Sequence, residues 1–262
     1  MMRTSNPTLS VEKFDRVRTY GLNESMTVDG TVNKCFVLFA LLLISAAWMW
    51  NQVMAISAPG MDYYGQHTAP VVPGRISAFI FGGGIVGFIF ALITSFRPQV
   101  ARFTAPAYAL CEGLVLGGIS AFFEQTYQGI VIQAVALTFG TLFGMLALYR
   151  SGVIKVTSGF IRGVASATFG IMVVYLGSWI LGMFGVNVSF LYSSGPIGIG
   201  FSLLVVGIAA LNLVLDFHII EQGAQRGANK YMEWYGAFAL TVTMVWLYLE
   251  ILRLLAKMNQ RR

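Results

Sequence analysis

The chain has 262 residues, of which 56% are hydrophobic and only 11% are charged, and its formal net charge is +6. This apolar, charge-poor composition excludes an ordinary soluble domain and indicates an integral membrane protein. The basic residues fall in short clusters between apolar runs, so the net charge does not indicate a nucleic-acid-binding surface. The two cysteines, Cys35 and Cys111, provide neither a disulfide framework nor a zinc-type spacing.

The chain opens with a polar segment, residues 1–34, in which acidic and basic residues are mixed. This pattern excludes an ordinary cleaved signal peptide. It lacks periodic apolar residues, and we predict a cytosolic N-terminal tail. The remaining residues, 35–262, are predicted to form a single transmembrane domain.

Seven apolar runs follow the tail, and each is long enough to cross about 30 Å of hydrocarbon as a helix of roughly 20 residues. The runs are continuously apolar, which favours helices over the alternating strands of a membrane barrel. Short linkers separate most runs, so neighbouring helices should be antiparallel. The sequence therefore predicts an all-α polytopic membrane helical bundle with spans near 35–56, 76–96, 103–123, 127–149, 160–184, 196–220 and 236–256.

The positions of Lys and Arg predict the orientation. Basic residues precede the first run and follow the second, fourth and sixth runs, whereas the opposite loops offer only Arg75. Because basic loops stay in the cytosol, the N-terminus should be cytosolic. A seventh crossing places Lys257, Arg261 and Arg262 outside, against this rule, and a re-entrant last run would leave six spans. We favour seven, because the last run is long enough to cross and early helices usually set the topology.

Glycines four residues apart recur in three runs and permit close helix contact. We expect packing within the bundle rather than a dedicated dimer motif. The pairs are Gly83 and Gly87, Gly113 and Gly117, and Gly140 and Gly144.

Three carboxylates lie inside apolar runs: Glu112, Asp216 and Glu250. A charge at a helix centre costs roughly 2.5 to 3.5 kcal/mol on insertion scales, so such residues are candidates for function. Asn212 lies one helical turn before Asp216, and Arg253 lies three residues after Glu250, so each shares a face with its carboxylate. The alternative for each carboxylate is a purely structural role in packing and register.

Asp216 and Glu250 fall on the last two runs. Carboxylate oxygens suit Ca²⁺, and two close, desolvated carboxylates share a proton. Protons and cations would then compete for the pair, which predicts a pH-gated cation leak. The sequence does not decide whether the two carboxylates are in contact, because Asp216 lies near one end of its run and Glu250 lies about 20 Å into the next.

The sequence gives little support for an enzyme. His218 on the sixth run would need a serine on the fourth run to form a rhomboid-type protease, and the fourth run contains none. Metalloprotease and paired-aspartate motifs are also missing. We therefore expect no catalytic activity and no cofactor, and we expect His67, in a loop, to be inert.

Motifs spread over nearly the whole chain are similar to one family. They are residues 2–7, residues 106–113 with Ser120, Gln133 and Ala134 with Thr138, and the C-terminal residues 247–255. Together they resemble the Bax inhibitor family of membrane proteins, in its bacterial YccA-like branch. The resemblance implies six helices wrapped around a central C-terminal helix, in a bacterial cytoplasmic membrane.

The resemblance also implies a calcium leak in which an acidic pair on the sixth and seventh helices senses pH. By motif, the pair falls on Asp216 and Glu250, which would form the calcium site. An arginine near the end of the second helix bonds this pair in relatives, and Arg97 is the nearest candidate by position.

The chain also departs from the family pattern. His218 follows two residues after the aspartate where the family has a glutamine, Glu250 replaces an aspartate, and Arg253 replaces an asparagine. An arginine beside Glu250 competes with a cation for its carboxylate.

We therefore predict a pH-sensitive passive calcium leak channel with the acidic pair as its gate. The alternatives are a non-conducting scaffold or regulator of other membrane proteins, and a proton-coupled transporter. The expected partners are the lipid bilayer and calcium or protons, with no nucleic acid.

Overall fold

The structure is a computed structural model that describes residues 25–56, 74–186, 188, 191 and 193–261, with the side chain of Arg75 excepted. Most of the predicted N-terminal tail, together with His67, lies outside these residues. The described part contains seven long helices: α1 (Val28–Ile56), α2 (Gly74–Phe96), α3 (Ala101–Thr126), α4 (Ile130–Arg150), α5 (Ser158–Met183), α6 (Pro196–Gln225) and α7 (Met232–Gln260).

All seven helices are long and apolar enough to cross a membrane. The prediction of a helical membrane bundle with about seven spans is therefore confirmed. A short 3-10 turn, Pro98–Val100, joins α2 to α3. Gly129 adopts a left-handed conformation, with φ of 78°, in the tight turn between α3 and α4, a conformation that glycine adopts without steric cost.

Several helices extend beyond the apolar runs that predicted them. α1 begins at Val28 rather than near residue 35, and α6 ends at Gln225 rather than near residue 220. The extra turns hold polar side chains that have partners on other helices. Hydropathy detects the part of a helix that crosses hydrocarbon, and it misses turns stabilised by such polar contacts.

Contacts between neighbouring helices give their directions. Ala46 of α1 lies against Gly117 of α3, and Ser45 lies against Gly113, so α1 and α3 run parallel. Ile220 of α6 lies against Gly236 of α7, close to the turn that joins these two antiparallel helices. We call the end of the bundle where α1 begins the N-side and the end where α7 finishes the C-side.

α7 is the central helix. It is the most buried of the seven, and it packs against α1, α3, α4 and α6. Its core contacts include an edge-to-face pair between Phe238 and Tyr108 of α3, with ring centroids 5.0 Å apart. α2 and α5 lie further out, with α2 packed on α3 and α5 on α6. The central position of the C-terminal helix is thus confirmed.

The glycine pairs do not all have the same role. A Cβ atom at Gly113 or Gly117 would overlap α1, and one at Gly83 would lie 3.2 Å from the Cys111 carbonyl oxygen of α3. These positions bring α1, α2 and α3 together, as expected for packing within the bundle. By contrast, a Cβ atom at Gly140 or Gly144 of α4 would meet nothing within 4 Å.

A buried carboxylate joins α1 to α7 at the N-side. Glu233, in the first turn of α7, is fully buried and accepts hydrogen bonds from Thr27 N at 2.9 Å and Thr27 Oγ1 at 3.0 Å. Lys34 forms an ion pair with the same carboxylate. Gly30 leaves the space that Glu233 fills, because a Cβ atom at Gly30 would overlap the carboxylate. Glu233 therefore lies at the start of two helices, where their dipoles stabilise negative charge.

Candidate functional site

Glu250 is the centre of a buried polar cluster on α7. It is only 2% exposed. The Tyr175 hydroxyl of α5 lies 3.1 Å from each carboxylate oxygen, and the Trp246 indole N–H donates to Oε1 at 3.3 Å. Arg253 Nη1 donates to the two oxygens at 2.8 and 2.9 Å. We call these four residues the Glu250 cluster.

Arg253 joins the cluster to α5 and to the outside. Its Nη1 also donates to the Tyr175 hydroxyl at 2.7 Å, and its guanidinium lies 5.2 Å from the centre of the Tyr175 ring. Its side chain is 38% exposed, whereas that of Glu250 is 2% exposed. The carboxylate is therefore fixed inside the bundle, while its cation lies at the edge and has room to move away.

Lys257 lies one turn beyond Arg253 and is 4% exposed. Its Nζ donates to Leu191 O at 2.6 Å, to Gly198 O at 3.1 Å and to Ser202 Oγ at 2.8 Å. These three acceptors replace the water molecules that the ammonium group loses on burial. Lys257 therefore ties the C-side end of α7 to the beginning of α6.

Asp216 is fully buried on α6, and its carboxylate lies within electrostatic range of the Cys35 thiol. Asn212, one turn earlier, donates to Thr168 Oγ1 of α5 at 2.8 Å and to Ile208 O at 2.8 Å. The polar face that the sequence predicted here is therefore directed in part towards α5.

The structure does not bring Asp216 and Glu250 together. α6 and α7 are antiparallel, and Ile220 lies level with Gly236, so Asp216 lies level with about residue 240. Glu250 is ten residues further along α7, which is about 15 Å at 1.5 Å per residue. The contact between Lys257 and Gly198 gives the same register independently. The two carboxylates therefore lie at different depths.

The other two predicted residues lie away from the Glu250 cluster. Arg97 is exposed at the end of α2, and the arginine that bonds Glu250 is Arg253. Glu112 of α3 is half-buried and faces α2, where a Cβ atom at Gly87 would lie 3.7 Å from its Oε2 atom. Glu112 therefore belongs to the contact between α2 and α3.

A second polar cluster lies near the N-side ends of α4 and α6. The Tyr149 hydroxyl of α4 donates to Glu221 and lies 3.2 Å from His218 Nδ1. Gln222 Nε2 lies 2.8 Å from His218 Nε2. His218 is therefore held by side chains at both ring nitrogens.

Taken by depth, these groups follow the length of α6. Counted from the C-side, Ser202 with Lys257 comes first, and Glu250 follows at the level of residue 206 of α6. Asn212 with Thr168 comes next, then Asp216, and finally Glu221 with Tyr149. The largest step is six residues, which is about 9 Å. We call this series the polar column, and it extends through most of the thickness of the bundle.

Sequence reasoning missed three members of these clusters. These are Trp246, Tyr175 and Lys257, of which the sequence singles out only Lys257, as a basic residue beyond the last span. A tyrosine in the middle of an apolar helix was an available signal, because a buried phenol usually has a hydrogen-bond partner. The identity of that partner depends on how α5 packs against α7, which the sequence does not give.

Metal-ligating side chains are sparse. Among the residues that the structure describes, no group of three or more His, Cys, Asp or Glu side chains could hold a metal ion. Glu250 and Asp216, the two residues predicted to bind calcium, lie at separate depths, so each would contribute a single carboxylate.

The fold and the clusters define the class of this protein, an integral membrane bundle of seven helices whose central, C-terminal helix carries a buried carboxylate. A family model described as Bax inhibitor 1 like matches residues 6–260. The chain therefore belongs to the Bax inhibitor family, as the motifs indicated. A search of curated proteins finds no match, and a search of solved structures finds none either.

Proposed function

We propose that the protein is a passive, pH-sensitive calcium leak channel whose pathway follows the polar column along α6. The observation that carries this proposal is the column itself, with its two buried carboxylates at separate depths. Intramembrane carboxylates are costly and usually mark ion pathways or proton relays. Two carboxylates at different depths would bind a cation in turn, which suits passage better than tight binding at one site.

In this proposal, the conformation described here is closed at the Glu250 cluster. Arg253 donates to both carboxylate oxygens, so a passing cation must displace the guanidinium. The exposed side of Arg253 provides the direction for that movement. Since the Tyr175 hydroxyl links α5 to the cluster, release of Glu250 would also loosen α5 from α7.

The pH response follows from competition. A proton on a carboxylate of the column would remove the negative charge that attracts Ca²⁺, so calcium flux should fall as the pH falls. The choice of calcium as the permeant ion rests on the family resemblance. The proposal of a cation pathway rests on the geometry of the polar column. The experiment must therefore measure calcium and protons separately.

The test is calcium uptake into vesicles that contain purified protein, at pH 6, 7 and 8. We expect uptake above that of empty vesicles in wild type, and a several-fold lower uptake in Glu250→Gln and Asp216→Asn. Glu112→Gln is the matched control, because Glu112 is an intramembrane carboxylate outside the polar column, and its uptake should equal that of wild type. A pH-sensitive dye inside the vesicles measures proton movement in parallel.

Two outcomes would replace the proposal. If wild type gives no uptake above empty vesicles at any pH, the non-conducting regulator becomes the better account. If calcium uptake requires an imposed pH gradient and is accompanied by proton movement in a fixed ratio, the protein is a proton-coupled transporter.

A further inference from the structure

A second feature of the bundle lies on the other side of α7 from Glu250. It is a cavity of about 380 Å³ between α1, α3, α4 and α7. α1 and α4 form its two edges, with α1 packed mainly on α3 and α7, and α4 packed mainly on α7 and α6. Leu43, one of the lining residues, is 53% exposed, so the cavity opens sideways towards the lipid. We call it the lateral cleft.

The lateral cleft has the length of one membrane leaflet. Its lining residues on α1 run from Phe39 to Asn51, which is about 18 Å along the helix. One leaflet contributes about half of the roughly 30 Å hydrocarbon core. Its lining residues on α3, Leu116 to Ser120, and on α4, Val131 to Phe139, lie in the C-side halves of those helices. The cleft therefore lies mainly in the C-side half of the bundle, along the direction in which the acyl chains of that leaflet run.

Polarity changes along the cleft. Its inner end is closed by the edge-to-face pair of Phe39 and Phe139, with ring centroids 6.3 Å apart. Trp50 and Asn51 line its C-side end, where interfacial aromatic residues are usual. An apolar inner end and a polar outer end match the shape of an amphiphile with its head towards the C-side.

Two hydroxyl groups supply a specific contact near the polar end. Ser120 Oγ of α3 lies 2.6 Å from the Tyr248 hydroxyl of α7, and both residues line the cleft. Only one of the two protons lies between these oxygens, so the pair keeps a second O–H that can donate. An ester carbonyl at the top of an acyl chain is a suitable acceptor.

We propose that the lateral cleft binds one acyl chain of a diacyl phospholipid from the C-side leaflet, with the ester carbonyl accepting from the Ser120–Tyr248 pair. Three observations carry this assignment: the sideways opening, the leaflet-length apolar wall and the hydroxyl pair at the polar end. The proposal does not depend on calcium flux. Tyr248 and Glu250 are two residues apart, so their side chains project about 160° apart around α7.

The test is native mass spectrometry of the full chain in mild detergent, titrated with dioleoyl phosphatidylglycerol. Wild type should bind one lipid before any others. Ala47→Phe places a ring inside the cleft and should weaken that first binding more than about tenfold, because each displaced methylene changes affinity about fourfold. Ala136→Phe is the matched control, since Ala136 is an exposed alanine of α4 that does not line the cleft.

The hydroxyl pair has its own test. Wild type should bind the diester lipid several-fold more tightly than the diether analogue, and the double variant Ser120→Ala, Tyr248→Phe should bind both equally. Val135→Trp serves as a second cleft-filling variant if Ala47→Phe fails to fold. The proposal is overturned if Ala47→Phe and Ala136→Phe bind lipid equally, or if the cleft variants instead abolish a dimer peak, which would assign the cleft to a second copy of the chain.

Discussion

Lys257 and Arg253 show how this bundle accommodates cations near the C-side end of α7. Arg253 is paired with a carboxylate, whereas Lys257 is held by two carbonyl oxygens and one hydroxyl. Both residues donate hydrogen bonds to the oxygen atoms at the C-side end of the polar column. In the proposed mechanism, the protein's own cations thus hold positions that a passing cation would use.

The first prediction concerns Lys257. Lys257→Met keeps most of the side-chain length but leaves three acceptors without their shared donor. We expect the free energy of unfolding to fall by about 1 to 3 kcal/mol, the cost of unsatisfied buried polar groups. Thermal unfolding in mild detergent measures this change. Lys155→Met is the control, because Lys155 is exposed, and an equal effect in both variants would contradict the importance of the buried contacts.

At the residue scale, part of the site could be predicted from the sequence. The pairing of Glu250 with Arg253 could be predicted, because residues three apart on a helix are neighbours. The contacts of Tyr175 and Lys257 join residues 75 and 55 to 66 positions apart in the chain. Such contacts depend on helix packing and register, which the apolar pattern does not encode.

At the scale of helices, small residues decide which surfaces meet. Gly113 and Gly117 lie against the backbone of α1, while Gly140 and Gly144 face open space. The same four-residue spacing therefore has two outcomes in one chain. The spacing alone predicted packing for all of these pairs, and the structure supports it for the pairs on α2 and α3.

This difference gives the second prediction. Gly117→Ala should destabilise the protein by about 2 kcal/mol or more, because the added methyl group would overlap α1 and force the helices apart. Gly140→Ala adds the same atom where nothing lies within 4 Å, so its stability should be unchanged or slightly higher. Unfolding of both variants under identical detergent conditions provides the comparison. Equal destabilisation would contradict the assigned α1–α3 contact.

The junction of α1 and α7 gives the third prediction. Gly30→Ala and Glu233→Gln should each lower the free energy of unfolding by about 2 kcal/mol, because both disturb the same buried contacts. Their double variant should be little worse than either single variant, since contacting residues are not additive. Gly30→Ala combined with Gly140→Ala should be additive. Full additivity of Gly30→Ala with Glu233→Gln would show that the two residues act separately.

For the whole molecule, most of the architecture followed from the sequence. Seven apolar runs became seven helices, because a span must satisfy its backbone hydrogen bonds internally. Helix ends were less predictable, as at the start of α1, where Glu233 and Lys34 stabilise a contact with α7. The relative depths of Asp216 and Glu250 could not be predicted from the sequence, because they depend on the register between α6 and α7 in the folded bundle.

The fourth prediction is the orientation. Seven crossings put the two ends of the chain on opposite sides, and the distribution of basic residues predicts a cytosolic N-terminus. The measurement uses Cys35→Ser, Cys111→Ser as background, with one cysteine added at either end and a thiol reagent that does not cross membranes. In intact cells only the C-terminal cysteine should react. Labelling of neither or both ends would contradict seven crossings.

The central claim is that Arg253 closes a cation pathway by occupying Glu250. It is tested most directly by calcium uptake at pH 7 into vesicles that contain Arg253→Gln, with the exposed Arg97→Gln variant as the control. Glutamine removes the competing charge while Glu250 stays in place, so uptake should rise several-fold over wild type, and Arg97→Gln should match wild type. Unchanged or lower uptake in a folded Arg253→Gln protein would contradict the account.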